Sequence, residues 1–229
     1  MPLTRLVPAG FVRLIAAISG ACLIVVVVMG LMLGSDRVGT AFDQNVYWAV
    51  YKQFVGERGM LRAMLVPTEP VLLVVVVGLI VMAAVARQRP RLAILAVAGP
   101  LVTVTLTSAV LKPLFGRTIN NGSLAFPSGH TSGLVAVLTV LVIAVVSGAR
   151  PPWRKSLTTL AIVGAGLVAV VGATALVGMK YHYVTDTVGG ACMAVGVVLL
   201  AALTIDWMAD RRRQTSAGRE QPVTSGVAL

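Results

Sequence analysis

The chain has 229 residues, 57% of them hydrophobic and only 12% charged. Soluble domains carry about 25% charged residues, so the composition excludes an ordinary water-soluble globule and points to the bilayer. The formal net charge of +11 would suit nucleic acid, but the basic residues sit in short connections between apolar runs and not along an aromatic-interleaved face. No nucleic-acid partner is expected, and the charge is read as a topology signal.

Six runs contain no Asp, Glu, Lys or Arg: Leu14 to Leu33, Pro70 to Ala86, Leu92 to Leu111, Thr131 to Ala149, Ser156 to Met179 and Thr187 to Ile205. Each approaches the roughly 20 residues that a helix needs to cross the hydrocarbon layer. They predict an all-α fold, a six-transmembrane-helix bundle, with one integral membrane domain over 1–208. The polar tail over 209–229 has no apolar pattern and is expected to be disordered, with Arg211 to Arg213 near anionic lipid. Arg5 and Arg13 precede the first run as they would a secretory signal, but the run is too long and no small-x-small pattern follows it. It is therefore expected to stay as a helix.

Residues 34–69 form the longest connection and are too apolar for a simple linker. Phe42, Val46, Val50 and Phe54 recur every four residues, with Asp43, Gln44 and Lys52 mostly elsewhere on the wheel. This predicts a short helix in the first outer loop, lying in the interface or packed on the bundle. The turns Arg87 to Arg91 and Arg150 to Lys155 join antiparallel neighbours. With six spans, both turns and both termini share one side, where Lys and Arg dominate; the other side offsets its cations with Asp36, Asp43, Glu57, Glu69 and Asp186. By the positive-inside rule the termini are cytoplasmic and the other connections face outward from a cell membrane. Cys22 and Cys192 fall inside apolar runs and are read as packing residues. Gly129, Gly133, Gly164, Gly166 and Gly172 are read as helix-packing positions.

The chain has only two histidines, and both stand where polar sequence meets an apolar run on the outward side. His130 follows Pro127, Ser128 and Gly129. Proline suits a helix start, serine can cap it, and the free amides of a first turn bind anions. His182 precedes Asp186 by four residues, so on a helix the carboxylate can accept one imidazole N–H and leave the other nitrogen free as nucleophile or base. A structural surface pair has the same spacing. Lys112 and Arg117 lead into the first histidine and Lys180 into the second.

These residues resemble the type 2 phosphatidic acid phosphatases, whose fold and site are shared with vanadium haloperoxidases. The family's motifs are Lys-x6-Arg-Pro, Pro-Ser-Gly-His and Ser-Arg-x5-His-x3-Asp. The second is intact from Pro127 to His130, and the third keeps His182 and Asp186. Ile119 and Asn120 stand at the Arg and Pro positions of the first, and Ala175 and Leu176 at the Ser and Arg positions of the third. Arg117 and Lys180 are expected to supply part of the missing charge.

The resemblance implies a membrane phosphatase without cofactor or metal, acting on a lipid phosphate at the outer face. His182 would be the nucleophile, Asp186 its orienting partner and His130 the general acid, with Lys112, Arg117, Ser128, Gly129 and Lys180 holding phosphate. A polyprenyl phosphate or diphosphate, or a related phospho-sugar lipid, is the first choice of substrate, and phosphatidate or phosphatidylglycerophosphate the second. The missing arginines also admit a non-catalytic lipid-phosphate binder or transporter, and the set His130, His182 and Asp186 a metal hydrolase.

Overall fold

In hydrocarbon a charge-free run can satisfy its backbone groups only as a helix or in a closed barrel. The computed structural model, which describes residues 5–34, 36–119, 122–149 and 151–219 (side chains of 151 and 216–219 excepted), shows helices. They are α1 (Val12–Leu33), α2 (Ala41–Phe54), α3 (Arg58–Leu65), α4 (Pro70–Ala86), α5 (Pro90–Thr105), α6 (Lys112–Phe115), α7 (Gly129–Gly148), α8 (Arg154–Gly178) and α9 (Val184–Arg219). A π-helical turn, Leu106–Leu111, joins α5 to α6. Among the described residues there is no strand, only a single antiparallel bridge between Thr118 and Leu124. Six helical segments are long and apolar enough to cross a membrane, one for each run read from the sequence. The protein is an all-α, multi-pass membrane protein.

Helices α7 and α9 form the centre. α9 packs against α1, α5 and α7, while α7 also meets α4, α5 and α8. Where they meet, Leu95, Ala96, Ala136, Val140, Ala194, Val198 and Ala202 are fully buried. Lipid tails are as apolar as leucine, so close approach rather than water exclusion holds such helices together. Gly172 and Gly133 do serve this purpose: a methyl group on Gly172 would lie 2.9 Å from Thr68 and 3.0 Å from Leu134, and one on Gly133 3.3 Å from Leu73. Gly164 and Gly166 do not, since nothing lies near them. Cys22 on α1 and Cys192 on α9 carry free thiols that meet across the two helices.

Helix α2 forms where its periodicity predicts, with Val46, Val50 and Phe54 half-buried. Asp43 is its most buried side chain, whereas Phe42 and Trp48 are more than half exposed. Asp43 is turned inward because it pairs with a buried arginine, described below. Thr40 caps α2 reciprocally with Asp43.

The last helix runs past the boundary expected at residue 209, as far as Arg219, and residues 220–229 lie outside the described residues. An ion cluster holds its far end. Arg91 Nη1 binds Asp206 at 2.8 Å and Nη2 binds Asp210 at 2.8 Å, and Arg5 reaches Asp210 at 2.8 Å. The amides of Leu6 and Val7 donate to the Asp206 carboxylate at 3.2 and 2.9 Å. These side chains tie the N-terminal segment, α5 and α9 together at the end of the bundle away from the histidines.

Candidate active site

Ser128 sits at the N-cap of α7 and is fully buried. Its hydroxyl oxygen accepts from the Thr131 amide at 3.3 Å and the Thr131 hydroxyl at 3.1 Å. Those two bonds fix the hydroxyl oxygen as the helix cap and leave its O–H proton free to donate. The next two amides, of Gly129 and His130, have no hydrogen-bond partner among the described residues, as befits a first helical turn. The Ser128 amide donates to the Asp186 carbonyl at 2.9 Å, so the start of α7 is fastened directly to the start of α9. This approach is close because Gly190 faces Ser128: a methyl group there would lie 2.5 Å from the Ser128 carbonyl oxygen.

The two imidazoles converge, with ring centroids 6.1 Å apart and planes inclined at 62°. His130 is exposed at the mouth and His182 is 7% exposed beneath it. His182 lies in the turn ahead of α9, which begins at Val184, so it does not share a helical face with Asp186. Its Nδ1 stands 3.6 Å from Asp186 Oδ2, beyond a hydrogen bond, and has no hydrogen-bond partner among the described residues. The second ring nitrogen, Nε2, is the one directed away from Asp186.

Arg117 is placed differently from the expectation. The left-handed Gly116, at φ 66°, ends α6 and turns the chain inward, and Arg117 is fully buried. Its Nη1 donates to Asp186 Oδ1 at 2.6 Å and Thr185 Oγ1 at 2.6 Å, and its Nη2 donates to Asp43 Oδ2 at 2.7 Å, with Asp36 at 3.5 Å. The guanidinium also lies 4.8 Å from the Tyr183 ring centroid. With carboxylates on both prongs of its fork, Arg117 orients Asp186 and is not available to a phosphate. Asp186 Oδ2 accepts the Tyr183 amide at 2.9 Å. Burial pushes the Tyr183 phenol above its ordinary pKa, with Arg117 pulling the other way.

Lys112 remains at the mouth. Its Nζ donates to the Leu124 carbonyl at 3.0 Å, and its charge acts on both His130 and Asp186. Lys180 is exposed, with Nζ 4.7 Å from the Tyr47 ring centroid. Together with His182, Gln44 and Tyr47 it lines a pocket of 340 Å³. Leu176, at the family's arginine position, is wholly buried, and Asn120 lies outside the described residues. Among the described residues no group of three or more His, Cys, Asp or Glu side chains is arranged to ligate a metal.

Sequence reasoning missed Asp43, Thr185 and Ser108. Thr185 bridges the cluster, donating from its hydroxyl to Asp43 at 2.8 Å. The π turn carries Ser108 to the start of α7, where a methyl group on Gly129 would lie 3.3 Å from its hydroxyl. The Thr40-x-x-Asp43 capping pattern was a readable signal for a fixed Asp43, whereas nothing local marked the other two.

One imidazole in the first turn of α7 and a second in the turn ahead of α9 thus lie together, with a lysine beside them and a buried acid behind. Residues 68–211 match the PAP2 superfamily, and the chain belongs to that family. Its members are phosphatases of phosphate esters, generally lipid-related, and this is the class of the protein. No curated protein and no solved structure matches the chain.

Gly190→Ala tests the fastening of α7 to α9. Overpacking against backbone costs about 1–3 kcal/mol, and a displacement of about 1 Å at reacting groups can lower the rate about 100-fold. Phosphate release is expected to fall by that factor and the melting temperature to drop, while Gly164→Ala, in open space, changes neither. Wild-type rates in Gly190→Ala would show that the contact does not set the histidine geometry.

Proposed function

We propose that the protein dephosphorylates a polyprenyl phosphate or diphosphate, or a related phospho-sugar lipid, at the outer face of the cell membrane through a phosphohistidine. The observation that carries this reading is the 6.1 Å approach of His130 and His182. Such a gap suits a phosphoryl group, with an attacking nitrogen about 3–3.5 Å from phosphorus and an acid about 2.6–3.2 Å from the leaving oxygen.

In this reading Lys112 and the amides of Gly129 and His130 hold the phosphoryl oxygens, and Lys180 meets further negative charge beside His182. His182 Nε2 attacks phosphorus, the bond from phosphorus to the leaving oxygen breaks, and His130 delivers a proton to that oxygen. Neutral His130 then takes a proton from water as the water oxygen attacks phosphohistidine, releasing phosphate and restoring both imidazoles. The excess of Lys and Arg on the side of the termini supports the outward placement.

The test is phosphate release in detergent from polyprenyl phosphate, polyprenyl diphosphate, phosphatidate and phosphatidylglycerophosphate, with and without chelator. The expected result is fastest turnover of a polyprenyl substrate, unchanged by chelator. Preference for a glycerolipid phosphate would overturn the substrate, and loss of activity with chelator the mechanism. A second reading, a non-catalytic lipid-phosphate binder, draws on the commitment of Arg117 to carboxylates, which leaves the mouth short of cations. Binding of all four lipids without release from any would favour it.

A further inference from the structure

At the end of the bundle opposite the histidines, α4, α5, α7 and α8 leave a crevice of 810 Å³. Its walls are apolar, formed by Ile80, Ala84, Leu92, Leu141, Val145 and Leu157, and its rim carries Arg87 and Arg89. Arg89 is fixed there: Nη1 donates to the Ala144 carbonyl at 3.2 Å and Nη2 to the Ser147 hydroxyl, both in the last turns of α7. Burial, and then the nearby charge of Arg87, push the Arg89 guanidinium below its ordinary pKa. Neither arginine is paired with a carboxylate among the described residues. The two described carboxylates of this end, Asp206 and Asp210, are held by Arg91 and Arg5.

Two like charges thus stand together at the mouth of an apolar crevice, with no carboxylate among the described residues paired to them. We infer that this crevice binds an anionic phospholipid, its phosphate on Arg87 and Arg89 and an acyl chain along Ile80, Leu141 and Leu157. The lipid is a bound ligand and not a substrate, because the 20 residues of α7 put about 30 Å between it and the histidines. Its headgroup supplies the missing negative charge and braces the α4–α5 turn against the end of α7.

The test is native mass spectrometry of the full chain in mild detergent, titrated with phosphatidylglycerol or phosphatidylcholine. The wild type is expected to retain one phosphatidylglycerol under conditions that strip phosphatidylcholine. Arg87→Gln removes a guanidinium that makes no hydrogen bond to the described protein and should weaken retention about five-fold. Leu141→Trp fills the crevice and should lower retention without touching either arginine. Arg37→Gln, exposed at the other end, should match the wild type. Equal retention of the two lipids, wild-type retention by Arg87→Gln, or full displacement by an equal concentration of glycerol phosphate would each overturn the proposal.

Discussion

His182→Ala is expected to lower phosphate release by on the order of 10⁴-fold or more, as removal of a covalent nucleophile does elsewhere. His130→Ala should cost less, about 10²–10⁴-fold, the range of a general acid or base, and the cost should depend on the leaving group. An alkoxide leaves poorly without a proton, so a lipid monophosphate should show the full loss. A diphosphate or an aryl phosphate leaves more readily, so the first step should survive and the second, in which His130 activates water, should become limiting. Labelled phosphate should then accumulate on His130→Ala as an acid-labile, base-stable adduct, and His182→Ala should show none. Release by His182→Ala at the wild-type rate would remove the nucleophile assignment, and with it the meaning of the 6.1 Å approach.

What the sequence revealed of this site follows a physical division. The charge-free runs determine helices because hydrocarbon leaves the backbone no alternative, and each of the six appears. Pro127 to His130 is equally local: cap, first turn and imidazole are set by consecutive residues. Side-chain orientation across the bundle is not local. The apolar spacing of α2 gave no sign that Asp43 is buried, because its partner is an arginine 74 positions away. Arg117 was misread for the same reason: its position beside the first histidine suggested a phosphate ligand, and only the left-handed turn at Gly116 reveals that it points into the protein. Gly189 and Gly190 offered no periodic signal, but a methyl group on the former would meet Phe126 at 2.3 Å and on the latter the Ser128 carbonyl at 2.5 Å.

The burial of Arg117 makes the second large prediction. Arg117→Ala leaves Asp43 and Asp186, both without solvent access, facing each other's charge with no cation between them. Breaking a buried pair from one side costs about 3–5 kcal/mol, roughly 10 °C of melting temperature in a chain of this size. The loss should appear with or without substrate. Arg117→Lys should recover only part of it, because one ammonium cannot fill a fork whose two nitrogens serve different carboxylates. A phosphate-binding arginine would behave otherwise, raising KM while leaving the melting temperature unchanged, and that outcome would overturn the orienting role. Acid should probe the same cluster. Burial alone would raise the Asp43 pKa, but hydrogen bonds from the Thr185 amide, Arg117, the Thr185 hydroxyl and the Thr40 amide outweigh it, holding the carboxyl below its ordinary value. A lowered folded pKa means that the stabilisation is fully present above the unfolded value of about 3.9 and is lost as pH falls through the folded one. The melting temperature should therefore hold through mildly acidic pH and drop below about pH 4. Asp43→Asn should start lower and fall less steeply there, because it has no such proton to take up. Equal acid slopes in the two proteins would show that the Arg117 cluster is not what acid dismantles.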